Sequence, residues 1–336
     1  MPHVTVAIPA YKPAHLGQAI ASVLAQTFTD FELLISDDCP NGAAREVVAR
    51  FGDPRIRLIQ GPRQGLVANS VHLWENAAAD VLKFVYDDDF LMPFAVADLL
   101  GLLEQNPHVA FVFCARQVVD ADGRILPSNA TIPPGPPTLF SSEVLVEALV
   151  GEIANPVGEP TSILFRRSTF EGPQCLSRYC GAPVHHNIDV AFYLNAAERG
   201  PCVGTPAVGA AFRRHPQQAS SLTGAGSFAY GVAEWELFLR GAVSRGMIAP
   251  QRAVRGLDRL ELHYRNHRER FPELEMMMAG LPGLRTALGK GTSDLIDEPF
   301  LQRLAHIEAA VGAPRGVQPA GGAGASAALT SAGACS

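Results

Sequence analysis

Short apolar runs alternate with amphipathic stretches through the first two thirds of the chain. Runs of four to eight apolar residues bounded by turn formers are typical of buried strands in a parallel sheet. The stretches between them carry apolar residues at helical spacing, which predicts helices covering both faces of that sheet. The predicted strands are residues 4–8, 31–36, 56–60, 81–86, 109–115, 161–165 and 207–212. The predicted helices between them are residues 17–26, 43–51, 66–79, 94–105 and 187–199.

The pattern changes beyond residue 228, where aliphatic residues recur at helical spacing without a strand signal. An earlier segment, 123–140, is too rich in proline for a helix or an inner strand and predicts a loop. Small residues dominate 316–336, which predicts a disordered tail. The predicted late helices are residues 230–245, 250–270 and 294–311.

Composition narrows the class of protein. Of the 336 residues, 47% are hydrophobic and 18% are charged, which excludes a uniformly disordered chain. The 27 basic and 33 acidic residues produce no general attraction to nucleic acid. The six cysteines lack paired zinc-ligand spacing and are interpreted as reduced thiols of a cytoplasmic protein. Neither a signal peptide nor an apolar run of about 18 residues is recognisable, so we expect a soluble protein.

Carboxylates follow two predicted strands at the point where each strand ends. Asp37 and Asp38 follow the second strand, and Asp87, Asp88 and Asp89 follow the fourth. The carboxyl ends of parallel strands form the edge where ligands bind in such sheets. Three adjacent carboxylates repel one another unless a cation shares them, and oxygen ligands favour Mg²⁺ or Mn²⁺. The alternative interpretation of both groups is an acidic turn or a helix cap.

Several segments together resemble the family 2 glycosyltransferases, which are inverting, nucleotide-sugar-dependent enzymes with the GT-A fold. The resemblance spans about residues 3–222 and depends on the joint occurrence of its segments. It implies an α/β protein of GT-A fold with a mostly parallel central sheet, a divalent cofactor (Mn²⁺ or Mg²⁺) and a C-terminal helical extension beyond the family domain. The resembling segments are residues 4–12, 21–28, 31–38, 63–69 and 84–93.

The resemblance also implies how the Asp triplet divides its roles. Asp88 would be the principal metal ligand, with Asp89 close by and Asp87 directed toward the ribose or the sugar. If Asp88 and Asp89 are matched to the last two Asp residues of the family's motif, Tyr86 stands where the family usually has its first Asp. The division of roles among the three Asp residues therefore stays open. His215 is a further candidate metal ligand, against the alternative of an ordinary surface histidine.

A nucleotide site in the first half of the chain follows from the same resemblance. Tyr11 would lie near the base, and Asp37 or Asp38 would accept hydrogen bonds from the base and ribose. The nucleotide-binding residues implied are Pro9, Ala10, Tyr11, Asp37, Asp38, Arg63, Gly65, Asn69 and Asp87.

Inverting transfer needs a carboxylate that takes the proton of the acceptor hydroxyl. The resemblance implies Asp189 for this role, at the start of a helix, although Ile188 replaces the acidic residue that usually precedes it. A carboxylate that stabilises the helix dipole is the alternative. On the acceptor and diphosphate side, the implied residues are Thr161, Ser162, His186, Arg213 and Arg214.

The resemblance implies sugar transfer from a UDP-sugar, with GDP- and dTDP-sugars left open, to a carbohydrate or lipid-linked acceptor. Cell-surface polysaccharide, glycolipid or natural-product glycan synthesis is the expected setting, with no nucleic-acid partner. A non-catalytic binding protein on the same fold is the alternative. A nucleotidyltransferase is disfavoured because the first strand is not followed by a Gly-rich basic loop.

The domain division follows from these assignments. The basic amphipathic stretch 250–270 is expected to pack on the catalytic domain or on a second subunit, as in a homodimer through the C-terminal helices. Peripheral contact with the inner face of a membrane is the alternative. The predicted units are a nucleotide-binding half at about 1–115, an acceptor half at about 116–227, a helical extension at 228–315 and the tail at 316–336.

Overall fold

The computed structural model describes residues 1–128, 132–216, 218 and 227–311. The strands are β1 (Val4–Ala10), β2 (Phe31–Asp37), β3 (Ile56–Gln60), β4 (Val81–Phe84), β5 (Phe90–Leu91), β6 (Phe111–Val119), β7 (Ile125–Leu126), β8 (Thr138–Phe140), β9 (Ile163–Arg166), β10 (Arg178–Tyr179), β11 (Ala182–Pro183) and β12 (Cys202–Arg213). The helices are α1 (Pro13–Leu24), α2 (Ala43–Val48), α3 (Leu66–Asn76), α4 (Ala95–Gln105), α5 (Ser142–Val146), α6 (Ile188–Ala197), α7 (Ser227–Ser244), α8 (Pro250–His267), α9 (Leu274–Gly289) and α10 (Glu298–Val311).

A central sheet has the strand order β3-β2-β1-β4-β9-β6-β12-β5, with β7 beside β6 and β8 beside β12. The pairings of β1 with β2 and β4, of β2 with β3, and of β6 with β12 are parallel. Strands β9 and β5 pair antiparallel with their neighbours, so the sheet is mixed. The chain runs outward from β1 to β3 and then returns through α3 to β4 on the other side of β1. This reversal leaves a crevice at the carboxyl ends of β1 and β4, where open α/β sheets bind ligands.

Alternate residues of the strands pack on opposite faces of the sheet. Val6 and Ile8 of β1 belong to a core cluster with α1, α2 and α4, whereas Ala7 between them faces a second cluster. The predicted two-faced covering of the sheet is therefore confirmed.

The C-terminal helices share the second core cluster with the sheet. Leu239 of α7 and Leu257 of α8 join Phe192 of α6 and Phe165 of β9 in that cluster. The predicted packing of the basic helix α8 on the preceding domain is confirmed by this shared core. Membrane contact, a second subunit and the exact domain boundaries stay predictions.

Ion pairs cover the exposed side of the same interface. The Arg252 guanidinium lies 2.7 Å from a Glu143 carboxylate oxygen, and Arg255 and Arg259 both pair with Glu152. The basic face of α8 thus meets acidic side chains of the domain before it. None of the helices within the described residues is long and apolar enough to cross a membrane.

Tertiary packing overrides the local sequence signal in two places. Helix α9 is not among the predicted helices. Pro282 lies inside it, and the burial of Met277, Leu281 and Leu284 in the core offsets the proline's cost of about 3 kcal/mol. Strand β12 is longer than predicted. Its register shifts between Thr205 and Val208, and this irregularity hides the alternation of apolar and polar residues that would reveal the strand. The segment 123–140 contains the short strands β7 and β8 rather than loop alone. The predicted tail lies outside the described residues.

Candidate active site

The carboxyl ends of β1 and β4 are joined by Asp87. Its Oδ2 atom accepts hydrogen bonds from the main-chain amides of Tyr11 and Lys12, each at 2.6 Å. Burial and the neighbouring Asp88 raise the pKa of Asp87 to about 6, against the two amide donors that lower it. This carboxylate therefore fixes the turn between β1 and α1, and one of its oxygens is committed to the protein.

Asp88 lies beside His215, the other side chain that the resemblance implies as a candidate metal ligand. The His215 Nε2 and Asp88 Oδ2 atoms are 3.0 Å apart, and both side chains are largely buried. The ring of His15, in the first turn of α1, lies 5.5 Å from the His215 ring. Burial, followed by the charges of Arg213 and His215, lowers the pKa of His15. His15 was not identified from the sequence because a lone histidine carries no spacing signal.

Asp89 is turned into the protein. The residue is 1% exposed, its Oδ2 accepts from Thr161 Oγ1 at 2.6 Å, and its Oδ1 accepts from the Arg213 amide at 3.1 Å. Burial and the charge of Asp88 hold the pKa of Asp89 well above the ordinary carboxyl value. Because both oxygens have partners within the protein, the geometry favours a structural role over the predicted metal ligation.

The structure gives Arg213 a role that differs from the predicted diphosphate contact. Its side chain is buried, with Nε donating to the Asp88 carbonyl at 2.8 Å and a terminal nitrogen donating to the Ala121 carbonyl at 2.8 Å. The other terminal nitrogen donates to Gln18 Oε1 at 2.5 Å. Arg213 therefore ties β12 to the Asp triplet, and the neighbouring Arg214, which is exposed, is the better candidate for an anion.

Replacing Arg213 with alanine is expected to lower the free energy of unfolding by about 3–5 kcal/mol, because it leaves a cavity and unpaired buried acceptors. Urea denaturation measures this change. Arg214→Ala is the matched control and should stay within about 0.5 kcal/mol of the unsubstituted protein. Equal stabilities for the two variants would contradict the structural role of Arg213.

Asp37 and Asp38 have separate roles at the end of β2. Asp38 accepts hydrogen bonds from the amides of Arg63 and Gly65 and so anchors that loop, in which both residues have positive φ. Asp37 is 1% exposed and uses Oδ1 for the Cys39 amide at 3.1 Å. Among the described residues, no donor contacts Asp37 Oδ2 or the buried Oδ1 of Asn69. Buried polar atoms without partners are costly, and the neighbouring hydroxyls of Ser36 and Ser70 also lack partners within the described part of the chain, so this cluster is a candidate for contact with a ligand.

Other predicted nucleotide-site residues lie around the same crevice. Pro9 and Ala10 are buried in β1, and the Ala10 carbonyl accepts from the Asp38 amide at 2.8 Å. Tyr11 is 44% exposed at the mouth of the crevice. Arg63 is exposed on the loop that Asp38 holds. The structure thus brings the predicted nucleotide-binding residues together at one edge of the sheet.

Asp189 is the second residue of α6 and lies in a cavity wall. Its Oδ2 accepts from Asn155 Nδ2 at 2.7 Å, and its Oδ1 accepts from the Val190 amide at 2.8 Å. Together with Tyr86, it lines a cavity of about 10 Å³, which is the space one water molecule needs. Burial raises the pKa of Asp189 to about 7, and the Glu159 charge contributes to this rise. A carboxyl group of this kind is suited to accept a proton near neutral pH.

Glu159, Arg116 and Asn155 are residues of this site that sequence reasoning missed. The Glu159 carboxylate lies 2.6 Å from Arg116 Nε, and burial raises the pKa of Glu159 against the opposing charge of Arg116. Glu159 precedes Pro160, and this Glu-Pro pair in a loop was the available signal. Asn155 and Glu159 share the loop before Pro160, whereas Arg116 lies in β6, so the chain pattern does not connect Arg116 with the other two.

The predicted acceptor-side residues lie deeper than expected. Thr161 and Ser162 are buried in a short 3₁₀ turn, and the Thr161 hydroxyl is used by Asp89 and the Tyr86 amide. His186 packs its ring against Phe228, and burial lowers its pKa. The geometry therefore does not support direct acceptor contacts for Thr161 or Ser162.

Asp88 and His215 are the residues at this edge that could hold a divalent cation. Among the described residues, no group of three or more His, Cys, Asp or Glu side chains is arranged to hold a metal. Asp88 Oδ2 and His215 Nε2, at 3.0 Å, have the separation of about 3 Å expected for adjacent ligands in an octahedral site with bonds near 2.1 Å. They fit a cation whose other ligands are water and substrate phosphate.

Comparisons with known proteins identify related sequences and a related fold. The sequence model described as glycosyl transferase family 2 matches residues 5–171. The uncharacterized protein MT1568 of Mycobacterium tuberculosis (strain CDC 1551 / Oshkosh) is 32% identical over 178 residues, which are 49% of this chain and 54% of that protein. A GalNAc(5)-diNAcBac-PP-undecaprenol beta-1,3-glucosyltransferase of Campylobacter jejuni is 31% identical over 118 residues, 34% of this chain and 38% of that enzyme.

Among solved structures, S. aureus TarS 1–349 superposes with a TM-score of 0.59 at 13% identity and covers 90% of both chains. This likeness confirms the predicted GT-A fold. The same TarS fragment is known in complex with UDP-GlcNAc. The chain spans about half or less of the length of these two sequence relatives. What those whole proteins do is therefore not assigned to this chain. By this family match, residues 5–171 of the chain belong to the glycosyl transferase family 2.

Proposed function

We propose that the protein transfers a sugar from a nucleoside diphosphate donor to an acceptor hydroxyl, with inversion at the anomeric carbon. The observation that carries this proposal is Asp189, which Asn155 and the Val190 amide hold in the cavity wall and whose pKa, raised by burial to about 7, suits a general base at neutral pH. Tyr86, directly before the Asp triplet, lines the same cavity as Asp189. The proposed base and the proposed donor site are thus neighbours.

The unpartnered acceptors on Asp37, at the end of β2, and on Asn69, in α3, support a nucleoside site. Asp37 Oδ2 and Asn69 Oδ1 both require donors. Every base carries an N–H donor, as a ring N–H in uracil, thymine and guanine and as an amino group in adenine and cytosine, so the two acceptors fit a base without selecting one. We propose a UDP-sugar first, with dTDP- and GDP-sugars as the other candidates, because the TarS fragment is known in complex with UDP-GlcNAc.

The diphosphate is proposed to lie near Asp88, His215 and the exposed Arg214. When bound there, Mn²⁺ or Mg²⁺ would neutralise negative charge on the departing nucleoside diphosphate. Arg214 adds a cation that the protein itself supplies.

Asp189 is proposed to take the proton of the acceptor hydroxyl while that oxygen bonds to the anomeric carbon. The bond from this carbon to the diphosphate oxygen breaks, and its electron pair leaves with the nucleoside diphosphate. Asn155 orients the carboxylate by donating a hydrogen bond to Oδ2. The other oxygen, Oδ1, accepts a hydrogen bond from the Val190 amide. Attack from the side opposite the leaving group produces inversion.

The acceptor is proposed to be a carbohydrate or a lipid-linked saccharide, in the synthesis of a surface polysaccharide, a glycolipid or a natural-product glycan. The undecaprenol in the name of the C. jejuni relative supports the lipid-linked candidate. A lipid-linked acceptor would bring the protein to the inner face of a membrane, with α7–α10 as the surface for this contact or for a homodimer.

UDP binding and UDP release test the proposal together. UDP-glucose, UDP-GlcNAc and GDP-mannose are incubated with the protein, with and without Mn²⁺, and nucleotide binding is followed by thermal shift. We expect Mn²⁺-dependent binding and slow release of the nucleoside diphosphate to water. Binding without turnover, even with oligosaccharide acceptors, would favour the non-catalytic alternative. The absence of both would refute the nucleotide-sugar site.

Replacing Asp37 with asparagine is expected to weaken UDP binding about tenfold, because an amide N–H₂ would face the donor of the base. Isothermal titration with UDP measures the change. Inorganic pyrophosphate with Mn²⁺ is the control ligand, and its affinity should not change. An unchanged UDP affinity would show that Asp37 does not contact the base.

A further inference from the structure

One buried carboxylate on helix α7 accepts hydrogen bonds from the segment that precedes Asp189. Glu234 is 0% exposed, and its Oε1 accepts from the main-chain amides of His185 at 2.6 Å and His186 at 3.0 Å. Its Oε2 accepts from the Asn187 amide at 2.7 Å and from Asn187 Nδ2 at 2.9 Å. Four N–H groups from three consecutive residues therefore converge on one side chain.

This clamp acts at the start of the helix that carries the proposed base. Asn187 directly precedes α6, and its side chain does not cap that helix but turns to α7, where Nδ2 also donates to the Gly231 carbonyl at 2.7 Å. Asp189 follows two residues later. The orientation of the first turn of α6 thus depends on contacts with α7.

Gly231 offers a second, independent observation of close approach. A Cβ atom at this position would lie 2.4 Å from His186 Cδ2. His186 can therefore pack against α7 in this way only because residue 231 is a glycine. The segment 185–187 is therefore held by the polar contact to Glu234 and by tight packing against Gly231. Both features lie in the helical extension, outside the matched family region of residues 5–171.

We propose that Glu234 is a positioning residue for Asp189: from α7, it holds the backbone of residues 185–187 so that the first turn of α6 directs the Asp189 carboxylate into the site. This inference rests on the proposed function, because it assigns Asp189 the role of base. The C-terminal helices are then part of the reaction machinery rather than an appended unit.

Two opposing effects act on the Glu234 carboxylate. Burial raises the pKa of Glu234, and the main-chain amides of residues 185–187, which donate to the ionised form, oppose that rise. The charge of Glu234 in turn contributes to the raised pKa of Asp189. Preorganised geometry matters because displacement of a reacting group by about 1 Å can reduce a rate on the order of a hundredfold.

The test compares Glu234→Gln with a matched control on the same helix. Glu236 is also 0% exposed, but its carboxylate pairs with Arg240 and Tyr264 within the helical bundle. Glu236→Gln therefore reports general destabilisation of α7 without touching residues 185–187. The measurements are the UDP dissociation constant, kcat for UDP release from UDP-GlcNAc or UDP-glucose, and amide hydrogen exchange in peptides covering 184–192.

For Glu234→Gln we expect kcat to fall on the order of 10- to 100-fold, with the UDP dissociation constant unchanged within about twofold. Amide exchange at 184–192 should accelerate about tenfold or more. Glu236→Gln should keep kcat and the exchange rates of that segment. Asn187→Ala removes one of the four contacts and serves if Glu234→Gln does not fold, with a smaller change in the same direction expected.

Three outcomes overturn the inference. They are a wild-type kcat in Glu234→Gln, unchanged exchange at 184–192, or equal losses of kcat in the two glutamate variants. Asp189→Asn, measured in parallel, separates this inference from the proposed function. If Asp189→Asn retains full turnover, the assignment of the base fails. If Asp189→Asn is inactive while Glu234→Gln is fully active, only the positioning role fails.

Discussion

Asp189→Asn is expected to reduce sugar transfer by about 10²- to 10⁴-fold while leaving the UDP dissociation constant unchanged. Asparagine preserves the size of the side chain and can still accept the hydrogen bond from Asn155, but it cannot take a proton from the acceptor hydroxyl. Turnover of the donor and calorimetric titration with UDP separate the two effects. Full transfer by this variant would show that another group is the base, and Glu159 would be the next to substitute.

The pH dependence of the same pair of proteins provides a further check. Because burial raises the pKa of Asp189 to about 7, the fraction of enzyme with an ionised base should increase as the pH rises through 7. We expect kcat of the unsubstituted protein to rise across this range and then level off. The residual kcat of Asp189→Asn should not rise with pH across this range.

As the pH rises, the stability of the fold should fall where the activity increases, because both depend on the ionisation of Asp189. The folded protein binds the Asp189 proton more tightly than the unfolded chain does, so ionisation destabilises the fold as the pH rises from about 4 to about 7. Asp189→Asn should therefore raise Tm relative to the unsubstituted protein at pH 8, and less so at pH 4. A lower Tm at pH 8 would show that the carboxylate is stabilised by its surroundings.

Asp88→Ala is expected to abolish the effect of Mn²⁺ on UDP binding, with an affinity loss of about 100-fold in Mn²⁺ and little change in EDTA. The reason is that Asp88 and His215 are the pair of side chains with the separation expected of adjacent metal ligands. At UDP concentrations well above the dissociation constant, the missing affinity also appears as a smaller thermal shift.

Asp122→Ala is the control for this prediction, because its exposed carboxylate pairs with Arg124 rather than with the triplet. It should keep the Mn²⁺-dependent thermal shift. If Asp88→Ala also keeps this shift, Asp88 is not a metal ligand and the two-ligand site is wrong.

Much of the fold could be predicted because its signals are local. The strands β1, β2 and β3 lie within two residues of their predicted bounds, since β-branched runs bounded by turn formers depend on neighbours in the chain. Helix α9 shows the limit: Pro282 argues against a helix, and only burial of Leu281 and Leu284 against other elements offsets that cost.

For the candidate site, the sequence located carboxylates but not their partners. Asp87, Asp88 and Asp89 are consecutive, yet one is held by amides, one faces His215 and one is buried against Thr161. Arg213 and Arg214 are likewise adjacent, but Arg213 is the last residue of β12 and is buried, whereas Arg214 follows the strand and is exposed. Which oxygen or guanidinium stays available depends on contacts that no spacing encodes.

By itself, the sequence determined that an alternating α/β domain of the glycosyl transferase family 2 carries its carboxylates at one edge of a sheet. The tertiary structure alone decided which of them have partners, that Glu159 and Arg116 join the site, and that Glu234 reaches across to the segment before Asp189. The physical reason is that strand and turn signals arise from neighbouring residues. Burial and hydrogen bonding between residues 40 or more positions apart arise only when the chain has packed.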